Sequence, residues 1–205
     1  LQGSSYGQSQ LGTGKKINIE YVSANPTGPL HIGHGRGAAV GDALANIMAA
    51  VGYSVSREYY INDTGNQMNL LGRSVYIRYL QLLGKDVSFP EDGYQGDYIQ
   101  EIAQEIITQE GEVYQNQGEA ESLPFFTSFA VASILKGIQK DLSDFEAHFD
   151  TWFSEKTLHQ EHAVEKALGK LKEKGHTYES EGNLWFNSKR FGDDKDRVIV
   201  RDTGV

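Results

Sequence analysis

Apolar positions along the chain change their spacing from segment to segment, and each spacing predicts an element. Ile17, Ile19, Tyr21 and Val22 favour a strand. It has to stop near Val22, because Asn25-Pro26-Thr27-Gly28-Pro29 carries two prolines and a glycine that neither a strand nor a helix interior tolerates. Beyond Pro29, the residues Ala38, Ala39, Ala43, Leu44, Ile47 and Met48 recur with the helical period, predicting a helix that starts at or near His31 and closes near Gly52. Ser54–Ile61, rich in tyrosine and β-branched residues, predicts a second strand.

Strand, helix and strand within 17–61 imply a parallel right-handed unit, which is half of a Rossmann-like α/β sheet. From Gly65 the pattern is mainly helical, with helices predicted over 68–83, 98–109 and 125–149. In the last of these, Phe125, Phe129, Ala132, Leu135, Ile138, Leu142 and Phe145 form the expected buried stripe. A short strand is expected over 150–153, then Ser154 as an N-cap and a helix over 158–174 ended by Gly175. Alternation about Gly182-Asn183 and Gly192-Asp193 predicts small antiparallel pieces before a strand at 197–201. The expected organisation is a linker over 1–16, the first part of the sheet domain over 17–64, a helical insertion over 65–150, and a return toward the sheet over 151–205. Gly12-Thr13-Gly14-Lys15-Lys16 lacks the spacing of a phosphate-binding P-loop.

Sheets of this kind bind ligands beyond the carboxyl ends of their strands, here 22–25 and 61–63. A helix opening after Pro29 would point free amides and a positive dipole end over that loop, which suits an anion. His31 and His34, three residues apart, project from nearly one face there and add two imidazole donors. Two such histidines can also share a metal, but no third ligand lies at a recognisable spacing. Gly33, Gly37 and Gly41 leave a bare stripe suited to close packing on a sheet or a flat ring. Asn62, Asp63, Asn66 and Gln67 form a second polar cluster, in which Asp63 either caps the next helix or faces a ligand. His148, His159, His162 and His176 have no such spacing and read as surface or packing residues.

The formal net charge of -9 argues against a nucleic-acid partner, which normally calls for a basic surface. Without cysteine, neither a disulfide scaffold nor a cysteine-ligated zinc site is possible. No apolar run approaches a membrane span.

His31-Ile32-Gly33-His34 is the signature of class I aminoacyl-tRNA synthetases, and the chain resembles that class. Ser23-Ala24-Asn25-Pro26-Thr27-Gly28-Pro29-Leu30 before it and Gly35-Arg36 after it are similar to the arginyl-tRNA synthetases specifically. So are Arg57-Glu58-Tyr59-Tyr60-Ile61-Asn62-Asp63, Gly65-Asn66-Gln67, Glu91-Asp92-Gly93-Tyr94-Gln95-Gly96 and Phe191-Gly192-Asp193-Asp194-Lys195-Asp196-Arg197. The resemblance implies activation of L-arginine by ATP, with Mg2+ accompanying the nucleotide, and transfer of arginine to its tRNA. It implies that His31 and His34 are catalytic, that Pro26, His31, Gly33 and His34 meet ATP, and that the adenine lies on Gly33. It assigns arginine contacts to Ser23, Ala24, Asn25 and His34; Glu20 either adds negative charge toward that cation or faces solvent. A cytoplasmic monomer with no tightly bound cofactor and no membrane attachment is implied as well. The family's guanidinium-reading residues and its Lys-Met-Ser-Lys-Ser-like loop would follow Val205, so the chain is expected to be an excised part of the catalytic domain, inactive alone. A non-catalytic module derived from a synthetase, and a nucleotidyltransferase with the same His-x-x-His element but another substrate, are the rival readings.

Overall fold

The computed structural model of the chain describes residues 3–202, so the first two and last three residues of the expected linker and return segments lie outside the described residues. The chain forms two compact units, one ending at Glu155 and the other starting at Lys156.

The first unit is built on three parallel strands in the order β1 (Lys16–Glu20), β2 (Ser54–Ile61), β3 (Thr151–Ser154). Ile17 lies opposite Val55 and Glu20 opposite Glu58, while Ile61 lies opposite Ser154, so all three strands point their carboxyl ends the same way. The β1–β2 crossover is helix α1 (Ile32–Ala50), closed by Val51 and by Gly52 at φ 96°. Only Ala38, Gly41 and Ala45 of α1 are buried; Leu44 and Ile47, expected on the inner face, are exposed. Small residues let α1 lie close to the sheet, and a Cβ on Gly41 would stand 2.2 Å from the ring of Tyr21. Arg57 of β2 reaches α1, donating to Asn46 at 2.8 Å and pairing with Asp42 at 3.6 Å. The segment before β1 is docked on the end of α1: the amides of Ser9 and Gly12 donate to the carbonyls of Ala50 and Val51.

Helices α2 (Asn66–Leu82), α3 (Asp97–Glu110) and α4 (Glu119–Asp144) supply most of the core. Tyr79 and Phe126 are fully buried and meet edge to face at 5.2 Å, with Tyr76 and Tyr114 edge-on to the same phenylalanine. Gly72 lets α4 approach, because a Cβ there would fall 2.8 Å from the backbone of Thr127. Helix α4 begins earlier than the sequence pattern predicts and runs through Pro124. Acidic Glu119 and Glu121 in its first turn suit the positive dipole end, and burial of Phe126 outweighs the one hydrogen bond that proline forgoes. Its buried stripe is Ser122, Phe126, Ala130, Ile134, Ile138 and Leu142; of the expected set only Ile138 and Leu142 belong to it, and Phe145 is exposed.

The helix expected over 158–174 is broken into α5 (Glu155–Gln160) and α6 (Ala163–Glu173), because His162 adopts a left-handed conformation, φ 53°. Within the second unit, β4 (Thr177–Ser180), β5 (Asn183–Phe186) and β6 (Arg197–Val200) form an antiparallel sheet. The turn before β6 is closed by Arg197, which donates twice to Asp193 at 2.8 Å and holds that carboxyl well below the usual carboxylate range.

Candidate active site

The carboxyl ends of β1 and β2 lead into a loop whose backbone is pinned at nearly every step. β1 ends at Glu20, and Val22 (φ 65°) and Ser23 (φ 42°) turn left-handed one after the other. Non-glycine residues adopt that conformation only where their surroundings hold them. Here the Ser23 Oγ accepts the Tyr60 amide at 3.1 Å, and the buried Tyr59 hydroxyl donates to the Ala24 carbonyl at 2.9 Å. Burial pushes the Tyr59 phenol up to about 12, so it stays a donor at neutral pH. The Thr27 amide folds back to the Asn25 carbonyl at 2.7 Å around a fully buried Pro26.

Asn25 donates to the Gln67 Oε1 at 2.8 Å, which brings the start of α2 to the loop. Asp63 does not cap α2; the N-cap is Gly65, at φ 82°, which makes no side-chain cap. Asp63 instead accepts from Ser154 Oγ at 2.6 Å and ties the ends of β2 and β3 together. Glu20 is exposed at the end of β1, close enough to Tyr60 to contribute to the rise of that phenol, which burial dominates.

Helix α1 opens with His31 as N-cap. Its Nδ1 accepts the Gly33 amide at 3.1 Å, and the His31 amide donates to the His34 Nδ1 at 3.2 Å. This is a capping box in which two imidazoles stand where serine and glutamate usually do. The rings stack with centroids 3.7 Å apart. Because each Nδ1 accepts an amide hydrogen, each neutral ring carries its proton on Nε2, and that proton is left to donate elsewhere. Desolvation, helped by neighbouring His31, lowers the His34 pKa, which favours the neutral form.

Two expectations change as a result. The first-turn amides are not simply open to an anion, since Gly33 is bonded to the His31 ring and His34 to the His31 carbonyl at 2.9 Å. The bare side of Gly33 is taken by the same ring, because a Cβ there would meet His31 Cε1 at 2.9 Å. Gly37 by contrast has open space beside it. Sequence reasoning placed Ser23, Ala24, Asn25, His31 and His34 on one loop and helix entrance, and the structure groups them there. It missed Tyr59, whose partner is distant in sequence, and it placed Gln67 in a separate polar cluster without linking it to Asn25. Among the described residues, no group of three or more His, Cys, Asp or Glu side chains could hold a metal ion, and no helix is long and apolar enough to cross a membrane.

A parallel sheet whose first strand feeds this loop and a histidine-capped helix defines a catalytic core of the class I tRNA synthetases. The model of one family, "tRNA synthetases class I (R), catalytic domain", matches residues 1–205, and the chain belongs to that family, the arginyl branch of the class. Arginine–tRNA ligases of Geobacter sp. and Desulfosudis oleivorans are 52% and 55% identical to it, over 99% and 97% of this chain. The chain spans 37% and 36% of the length of those two relatives. A structure from Campylobacter jejuni, provisionally assigned as an arginyl-tRNA synthetase, superposes over all of this chain and 44% of its own with a TM-score of 0.89 at 36% identity. The Thermus thermophilus arginyl-tRNA synthetase shares the fold, with a TM-score of 0.65 at 22% identity over 97% of this chain and 35% of its own.

Proposed function

We propose that the chain supplies the first half of the ATP and arginine site of an arginine–tRNA ligase, which forms arginyl adenylate and passes arginine to its tRNA. The observation that carries this reading is the reciprocal imidazole cap, which leaves two Nε2–H donors side by side at a helix entrance. Attack of the arginine carboxylate on the α-phosphate needs no covalent enzyme intermediate. It needs two anions held in line and donors for the charge that builds as pyrophosphate leaves. Orientation is worth ~7–11 kcal/mol, against about 3–5.5 kcal/mol for a general acid or base. His31 and His34 therefore serve as aligned donors to the phosphates, with the dipole of α1 behind them.

Gly33 and Pro26 shape this entrance, the glycine by admitting the His31 ring and the buried proline by setting the loop. Arginine lies against Ser23, Ala24 and Asn25. The Ser23 hydroxyl already accepts from Tyr60 and keeps its own hydrogen for the substrate carboxylate, while Asn25 is oriented by Gln67. Glu20, exposed at the strand end, adds negative charge on the side of the cationic substrate. Mg2+ arrives on the ATP phosphates. The whole protein is read as a cytoplasmic monomer that binds arginine tRNA.

The test is arginine-dependent, tRNA-stimulated exchange of pyrophosphate into ATP, measured on the protein that contains this chain, with His31→Ala and His34→Ala beside it. Loss of one transition-state donor is expected to cost ~10²–10³-fold in rate. Exchange that does not depend on arginine would refute the reading in favour of the related nucleotidyltransferase, and absence of any exchange would refute it in favour of the non-catalytic module. Exchange that survives both substitutions would refute the role given to His31 and His34.

A further inference from the structure

The run Glu91-Asp92-Gly93-Tyr94-Gln95-Gly96 lies between helices α2 and α3, and its path ends in a contact with the loop that precedes His31. The Gly93 amide turns back to the Pro90 carbonyl at 3.0 Å, and the Tyr94 amide donates to the Ser74 Oγ at 3.0 Å, a fully buried hydroxyl on α2. Gly96 then caps α3, whose second residue is Tyr98. The Tyr98 hydroxyl donates to the Thr27 carbonyl at 2.7 Å. Its ring lies between two glycines. A Cβ on Gly28 would stand 3.1 Å from the hydroxyl oxygen, and one on Gly96 would stand 2.4 Å from the ring edge. The next residue, Ile99, is fully buried and anchors the tyrosine's backbone in the core. Tyr98 thus holds the loop from the helical side at Thr27, as Tyr59 holds it from the sheet at Ala24.

We propose that Tyr98 is a positioning residue of the nucleotide site: by gripping Thr27 against Gly28, it fixes the loop that aims the His31 and His34 rings. The inference rests on the proposed function for what those rings bind, and on geometry alone for how they are held. Thr27 is four residues from the N-cap, and Pro29 between them transmits rather than absorbs a shift, since its φ is fixed. Burial raises the Tyr98 phenol, so it remains a donor throughout the neutral range. Such a residue changes the alignment of phosphate donors more than the attraction that brings ATP in, so it acts on kcat more than on KM.

Tyr98→Phe removes the hydroxyl and keeps the ring; Gly28→Ala presses on the ring from the other side. Two measurements test them. In this chain, long-range 1H–15N spectra of the imidazoles report the His31 and His34 rings without any substrate. Both variants are expected to shift or broaden those signals while the chain keeps its fold. In the protein that contains the chain, Tyr98→Phe is expected to lower kcat of arginine-dependent pyrophosphate exchange about five- to tenfold, the worth of one hydrogen bond, with KM for ATP changed less than about twofold. Imidazole signals that superpose on the parent's in both variants would overturn the proposal. So would kcat and KM worsening in step with a lowered melting temperature, which marks plain packing. If the parent protein shows no arginine-dependent exchange, the functional reading fails, and the imidazole spectra still decide whether Tyr98 positions the rings.

Discussion

His31 and His34 cap the same helix for each other: the amide of the first donates to Nδ1 of the second at 3.2 Å, with the two rings stacked. The arrangement works only with neutral rings, since an imidazolium has no lone pair to accept an amide hydrogen. Protonation at low pH should open the cap.

The His34 pKa is lowered on folding, so the unfolded chain takes up that proton at a higher pH than the folded one. The stability it contributes is fully present above about 6.5, the unfolded value, and is lost as pH falls from there to the lowered folded value. His34→Gln keeps an acceptor and a donor but does not titrate. The chain should therefore lose melting temperature between about pH 7 and 5 more steeply than His34→Gln does. Parallel curves for the two proteins would count against a neutral, capping His34.

Asparagine caps helices well but has no group in the place of an imidazole Nε2. His31→Asn should leave urea stability within about 0.5 kcal/mol of the parent, while the exchange rate of the protein that contains the chain falls ~10²-fold. Equal losses in both measurements would mean that His31 serves the helix alone.

Gly37 and Gly41 sit one turn apart on α1 and should respond in opposite directions to the same methyl group. At Gly37 there is room, and alanine should stabilise by ~0.5–1 kcal/mol. At Gly41 the added Cβ would collide with the Tyr21 ring, and alanine should destabilise by ~1–3 kcal/mol. Denaturant titrations of the two variants decide this.

Tyr59→Phe deletes the donor to the buried Ala24 carbonyl and should cost ~1–3 kcal/mol. It should also alter the alkaline limb of stability. The Tyr59 phenol is raised from 10.0 to about 12 in the fold, so its contribution is whole below about pH 10 and is lost as pH climbs from there toward about 12. The variant should fall less steeply over that interval, as read by urea unfolding at fixed alkaline pH.

Phe126 is the fully buried centre of the aromatic cluster, and Phe126→Ala should cost ~3–5 kcal/mol. Phe145→Ala, at a position 55% exposed, should stay within about 0.5 kcal/mol. Denaturation midpoints for the pair test which stripe of α4 faces the core.

These two phenylalanines also show where the sequence stops being informative. Strand β2 and the start of α1 were legible because glycine and proline punctuate them and a strong period fills them. In α4, apolar residues are so dense from Phe125 to Ile138 that two adjacent stripes fit the helical period, and only contact with α2 selects the one through Phe126 and Ala130. The break at His162 depends on one left-handed residue, which no period records. At the site, the three-residue spacing of the histidines matches that of a capping box, yet imidazoles are not the usual capping side chains, so the spacing read as a ligand site first. Tyr59 and Tyr98 reach the loop across 35 and 71 residues, distances over which local pattern carries no information.

Val22 and Ser23 give the loop one further property. Two successive left-handed residues, neither a glycine, are set when the chain folds and leave the segment almost no alternative shape. Ligands arriving there meet a rigid mould, so association should carry little ordering entropy and little structural change, and crystals of the empty and occupied protein should superpose at 21–31.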